Sequence, residues 1–324
     1  MGKMRLQWLG VFAAAILVGL APAPRAEAEP IAVEVRAVPL DTAAPERTTL
    51  GPLRYRGGIE IRSTDRRFGG LSGLAVSADG TRFVAVADFG YWFTGTLVYD
   101  GGGRLVGIAD PSIEPLRDES GRALSGKRRG DAEAIASDGA GGFIVAFEQR
   151  HRLVRFARVG ARGQPYPAPP GVEAAPANAG MEALTRLGDG RLLTVTEDFR
   201  TEDGKAVRGW IGPDPWQPLS VQTSGGFLPT SLAPLPGGAL LVERRFPFLA
   251  IRLRRVDAAD LRPGARLEPA EIARFEGSLS YDNFEAAATR LGPEGQPLLY
   301  LLSDDNQNPF QRTLLLHFAL DAAG

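Results

Sequence analysis

Two carboxylates, Glu182 and Glu197, stand in the stretch AGMEALTRLGDGRLLTVTEDFR (residues 179–200), on either side of Asp189-Gly190. Leu184, Leu187, Leu192 and Val195 supply apolar positions around that dipeptide, which is a two-residue turn signal between strand-like runs. A register centred on the turn sets Glu182 opposite Glu197. Cross-strand neighbours lie about 5 Å apart, where like charges destabilise the pair. A cation, a basic side chain or a shared proton must offset that repulsion.

The pattern recurs. DAEAIASDGAGGFIVAFEQ (131–149) carries Glu133 and Glu148 at the same separation, and LSGLAVSADGTRFVAVADF (71–89) has Ser72 and Asp88 in those places. TSLAPLPGGALLVERR (230–245) ends in Glu243-Arg244-Arg245, and EAAATRLGPEGQPLLYLLSDD (285–305) runs from Glu285 to Asp304 and Asp305. Five copies at a period of roughly 50 residues suit a propeller or solenoid.

Other chemistries have fewer residues to work with. Of the two histidines, His317 sits inside an apolar run, TLLLHFAL, and is expected in the core, satisfied there. His151 follows a strand end and is a candidate general acid or base. No G-x-S-x-G nucleophile elbow is present. The absence of cysteine removes disulfides, thiolate chemistry and cysteine metal sites, and with so few nitrogen ligands zinc is disfavoured. A net charge of -1 gives no electrostatic reason to expect nucleic acid.

Several elements must position these residues. Residues 1–28 read as a secretory signal: Lys3 and Arg5, an apolar run over 9–20, then Ala26-Glu27-Ala28. Neither a twin-arginine pair nor a lipobox cysteine accompanies it, so a periplasmic or secreted protein without a membrane segment after cleavage is expected. Residues 29–50 form an N-terminal extension with one strand-like run, 31–38, and the domain proper spans 51–324. Apart from the leader no helical period appears, and 40 glycines and 25 prolines suit many short strands. Strands are expected at 53–62, 96–99, 104–108, 153–159, 207–211, 219–223, 250–256, 272–275 and 313–320. Segments 111–129 and 160–179 read as long loops, which in a compact domain are often functional.

The fifth repeat lacks a fourth strand, and 53–62 is a strand without a repeat of its own. Lending it to the last repeat closes a ring between the termini. The expected fold is an all-β single propeller of four-stranded blades. Five blades are favoured, with six, drawing on residues 31–50, as the alternative.

In a propeller the first strand of a blade lines the channel and the second returns antiparallel. The start of one and the end of the other therefore share a face. That face collects Asp88, Glu133, Glu148, Glu182, Glu197, Glu243, Glu285 and Asp304 as candidate metal ligands. Beside them stand Arg150, Arg200, Arg244, Arg245 and Asn306 as candidate substrate-binding groups. A hard cation such as calcium takes six to eight oxygens, which such a ring supplies. Arginines could hold a phosphate or carboxylate. The same acids could instead only staple neighbouring blades through hydrogen bonds, and the arginines could be only their salt-bridge partners.

At these hairpins the chain resembles the phytase-like family, whose domain is described as having esterase-like activity of phytase. The resemblance rests on GGLSGLAVSADG with VADFG, GDAEAIASDG with FIVAFEQRHRLVRF, GMEALTRLGDG with LLTVTED, LLVERRF, and SDDNQNPFQRTLLLHF. It implies an exported β-propeller, and the phytases that lend the family its name bind calcium in the channel and hydrolyse phosphate monoesters. Glu133, Glu182, Glu243, Asp304, Asp305 and Asn306 are the motif residues it carries across. Two functions follow as expectations. One is a calcium-dependent hydrolase of a small-molecule ester or phosphoester, with Glu182, Glu197 or His151 handling protons. The other is a propeller that binds a ligand or protein without turnover. Oligomeric state is not legible.

Overall fold

The protein is described here by a computed structural model covering residues 28–321. Its inner strands are apolar on both faces, because each blade is sandwiched between two others. Five four-stranded antiparallel units result. Blade 1 comprises Leu71–Val76, Arg82–Ala87, Tyr91–Tyr99 and Leu105–Pro115, and blade 2 comprises Ala132–Ser137, Phe143–Phe147, Arg152–Phe156 and Gln164–Tyr166. Blade 3 is Ala183–Arg186, Leu192–Arg200, Ala206–Gly212 and Gln217–Gln222, with Arg266–Leu267 added in parallel at its edge. Blade 4 is Phe227–Leu235, Gly238–Arg245, Ala250–Asp257 and Ala270–Phe275. Blade 5 is Asn283–Leu291, Pro297–Asp304, Thr313–Leu320 and, from the other end of the chain, Leu53–Arg62.

That last pairing is the expected closure: Leu53 lies opposite Leu320 and Ile61 opposite Thr313. The inner strands contact one another around the ring, and five apolar clusters fill the five gaps between blades. Alternate residues of one strand serve opposite gaps. Leu192 packs toward blade 2 with Met181 and Trp210, while Leu193 packs toward blade 4 with Leu232 and Leu241. The cluster joining Tyr300 and Leu315 to Phe83 and Phe93 closes blade 5 on blade 1.

Residues 29–50 are woven into this ring and do not hang from it as an extension. Glu34–Ala37 pairs with Leu53–Arg62 as a fifth strand on blade 5, and Glu29–Pro30 pairs with the outer strand of blade 1. They build no sixth blade. A single parallel bridge, Gly57 to Leu105, links blades 5 and 1. Gly57 has φ +95, and a Cβ there would fall 2.4 Å from the Leu105 carbonyl oxygen, so only glycine allows the approach. Two stretches expected as loops are partly strand: Gln164–Tyr166 is the outer strand of blade 2, and blade 1 runs on to Pro115. The leader-like residues 1–27 lie outside the described residues.

Candidate functional site at the channel mouth

Each inner hairpin contains a β-bulge near its open end. In blade 1 Leu71 pairs with Ala87 and Gly73 with Val86, leaving Ser72 as the extra residue. Glu133, Thr230 and Glu285 are left over in the same way in blades 2, 4 and 5. In blade 3 Ala183 pairs with Val195 while the Glu197 amide donates to Gly180 O at 2.9 Å, so Glu182 is the equivalent residue. A bulge bends its strand and re-aims a side chain. Here it sends Ser72, Glu133, Glu182 and Glu285 to the channel mouth as an incomplete ring, while Thr230, their equivalent in blade 4, is buried and its hydroxyl donates to Phe284 O at 2.8 Å.

A second ring lies at the ends of the second strands: Asp88, Glu148, Glu197, Arg244 and Asp304. Each opposes the residue two before the bulge, as in Glu148 N–H to Asp131 O at 2.8 Å, Leu228 opposite Arg244 and Asn283 opposite Asp304. This corrects two expectations. Glu182 is not directly opposite Glu197: the turn takes three residues, Gly188-Asp189-Gly190, which moves the register by one, and the bulge moves it by one more, leaving Gly180 opposite Glu197. The bulge of blade 4 removes Glu243 from the mouth. It is fully buried in the body of blade 4, where Arg252 Nε and Arg254 Nη1 reach its carboxylate at 2.5 and 3.2 Å.

The two rings enclose a cavity of about 340 Å³. Asp88, Asp131, Glu133, Glu148, Glu182, Glu197, Glu285 and Asp304 line it, with Ser72, Gln149, Asn178 and Asn306, and only Lys127 and Arg244 are cationic. Arg244 bridges Asn283 Oδ1 at 2.7 Å, Glu197 Oε1 at 2.9 Å and, more closely still, Glu285. Lys127 Nζ lies 2.8 Å from Asp88 Oδ2.

These contacts leave most of the acids uncompensated. Burial, reinforced by their neighbours, pushes Glu133 and Glu182 well above the usual carboxylate range; Asp131 acts first on Glu133, and Glu133 first on Glu182. Asp304 is likewise raised by burial and by Glu285. Glu148 rises to about 7 through burial, although the Gly180 amide donates to it. Asp88 rises to about 6 through burial, against the pull of Lys127.

Asp131, Glu133 and Glu148 can each offer an oxygen within 4.8 Å of the others. Asp88 Oδ1 and Asp131 Oδ1 are buried with no hydrogen-bond partner among the described residues. An all-oxygen donor set with unsatisfied acceptors suits a hard divalent cation.

The other candidates lie elsewhere. Arg150 and His151 border a separate depression with Arg152 and Glu173, and His151 Nε2 meets the carbonyls of Ala175 and Pro176 at 3.2 and 3.1 Å. Arg200 pairs with Asp198 at 2.6 Å, and Arg245 covers the Phe227 ring at 5.0 Å. Neither lines the cavity. Asn306 does, on a left-handed residue (φ 48) whose amide donates to Asp304. His317 is in the core, as expected, stacked 4.5 Å from Tyr300. Burial depresses it to about 3.

Sequence reasoning missed Asp131 and Lys127. The position of Asp131 is Gly70, Gly180, Leu228 and Asn283 in the other blades, so no repeat marks it. Lys127 rides on a four-residue helix, Lys127–Gly130, in a loop; its sole signal is being one of two lysines after the leader.

Solved structures give distant likenesses. A protein of unknown function from Bacteroides thetaiotaomicron VPI-5482 superposes with a TM-score of 0.47 at 12% identity, over 90% of this chain and 77% of its own. The PQQ-bound aldose sugar dehydrogenase of Streptomyces coelicolor gives 0.44 at 14%, over 90% and 100%. A gluconolactonase from Xanthomonas campestris gives 0.42 at 14%, over 92% and 89%. Among curated proteins none gives a significant match. The phytase-like family model, described as the esterase-like activity of phytase, matches residues 66–307 and so takes in all five inner hairpins and both rings of the mouth; the chain belongs to that family.

Proposed function

We propose that this chain is an exported hydrolase of esters or phosphoesters, dependent on a divalent cation, calcium by its donor set, and working at the channel mouth. The observation that carries the reading is the imbalance of the cavity: eight carboxylates converge on about 340 Å³ with two cationic side chains to answer them. Asp131, Glu133 and Glu148 would hold the ion. Bound there, it would polarise the ester or phosphoryl oxygen and acidify water.

The chain's own groups do the rest. Glu182 lines the same cavity, raised by burial and then by Glu133 and Glu148, and is suited to hold and release a proton. Glu197 is pinned by Arg244 and serves to orient that guanidinium. Because Arg150, Arg200 and Arg245 stand away from the cavity, the grip on an anionic substrate falls to the ion, with Lys127 beside it. A neutral ester needs no such grip.

The test is turnover of a panel of aryl esters and aryl phosphates, in calcium and in chelator, for the wild type and Glu133→Gln. The expected result is calcium-dependent turnover, reduced on the order of 100-fold or more by the substitution, since preorganised charge commonly supplies that much. Equal turnover in chelator would overturn the reading. Bound calcium without turnover on any member would favour the alternative, a binding propeller. Export rests on the leader-like residues 1–28, and the N-terminus of secreted protein should lie near Glu29.

A further inference from the structure

The mouth contains three places where carboxylates converge, and side chains already fill two of them. The Arg244 place is permanent. The guanidinium is borne on a strand, its side chain is 16% exposed, and it is held by Asn283, Glu197 and Glu285 together. The Asp131–Glu133–Glu148 place has no salt bridge among the described residues, only the longer-range pull of Lys127 and Arg152 on Asp131, and one of its oxygens, Asp131 Oδ1, is orphaned.

The Lys127 place is of a third kind. Lys127 makes a single ion pair, to Asp88 Oδ2, its side chain is 53% exposed, and it comes from a loop helix of one turn. The acid beneath it is fixed. Asp88 is 4% exposed and its carboxylate leans over Gly70, where a Cβ would fall 2.0 Å from Oδ1. That Oδ1 is buried with no partner among the described residues, and so is Asp131 Oδ1. Both aspartates line the cavity, so the site beneath Lys127 keeps an unused acceptor on a residue of the same wall. A full positive charge at Asp88 opposes any further cation beside it, by the same Coulomb law that draws the first ion to the triad.

We propose that Lys127 is a resident counter-ion that holds the cavity to one divalent cation, and that removing its charge opens a second cation site on Asp88, with the Asp131 carboxylate shared between the two ions. The inference rests on reading the cavity as a cation site. The metal here is a ligand of this chain's own acids, so binding alone can test it.

Calcium is titrated into chelator-stripped wild type, Lys127→Met and Lys127→Arg, with stoichiometry read by calorimetry and equilibrium dialysis. The wild type and Lys127→Arg should each bind one ion, and Lys127→Met two. Adding Asp88→Asn to Lys127→Met should return the count to one, which separates a new site from a general loosening. One ion in Lys127→Met at wild-type affinity, or two in the wild type, would overturn the inference while leaving the cation site standing. No ion in any form would remove both.

Discussion

Arg244 occupies the ring position that the other four blades give to Asp88, Glu148, Glu197 and Asp304, and this single exchange divides the mouth. On its side Glu197 and Glu285 share one guanidinium. Away from it Asp131, Glu133 and Glu148 form no salt bridge among the described residues. One residue earlier, Glu243 has the opposite role, a buried anion clamped by Arg252 and Arg254. Removing one member of such a group leaves buried charge unpaired, at a cost of about 3–5 kcal/mol. Glu243→Gln should therefore lower the unfolding free energy by about that amount in denaturant melts. The shift in melting temperature produced by calcium should survive the substitution. Loss of that shift in a folded Glu243→Gln protein would return Glu243 to the mouth. Three consecutive charges, Glu243-Arg244-Arg245, leave the choice open in sequence because nothing in the side-chain pattern announces a bulge.

At the scale of the hairpin and the blade, much more was legible. Two-residue turn signals such as Asp189-Gly190 located the inner strands, and the spare strand over 53–62 located the closure. Gly190 has φ 89, and the Asp189 carboxylate accepts from the Arg191 amide at 3.0 Å, so the turn chemistry is local and readable. The bulges were not, since a backbone with one residue too many is set by how five blades meet around a channel. Nor was Gln164–Tyr166, three residues including a proline at an outer edge. Closure makes a prediction of its own. A chain lacking residues through Arg62 loses the partner of Thr313–Leu320, whose eight residues are all buried. It should be recovered aggregated or without a cooperative melt. A soluble truncated protein with the wild-type melting temperature would show that the ring does not depend on this strand.

For the molecule as a whole, the uncompensated mouth couples stability to pH. Acids whose folded pKa lies above the unfolded value bind protons more tightly when folded, so their contribution is complete below the unfolded pKa and lost as pH rises through the folded one. Asp88, ordinarily near 3.8 and raised to about 6, and Glu148, ordinarily near 4.5 and raised to about 7, set the window. In chelator the melting temperature should fall steadily from pH 5 to pH 8. Calcium should reverse the trend, because the ion takes the place of the protons and binds better as they leave. Its stabilisation should approach about 2.7 kcal/mol at a hundred times the dissociation constant. A chelated protein with a flat profile across that range would mean that the carboxylates are neutralised by groups other than an ion.

The most direct test of the central claim is a crystal structure grown in calcium, with anomalous scattering recorded at the channel mouth. The account predicts one strong peak bounded by carboxylate oxygens of Asp131, Glu133 and Glu148, with Lys127 still on Asp88 and Arg244 still on Glu197 and Glu285. A mouth without a peak, its acids paired to one another through shared protons, would contradict it.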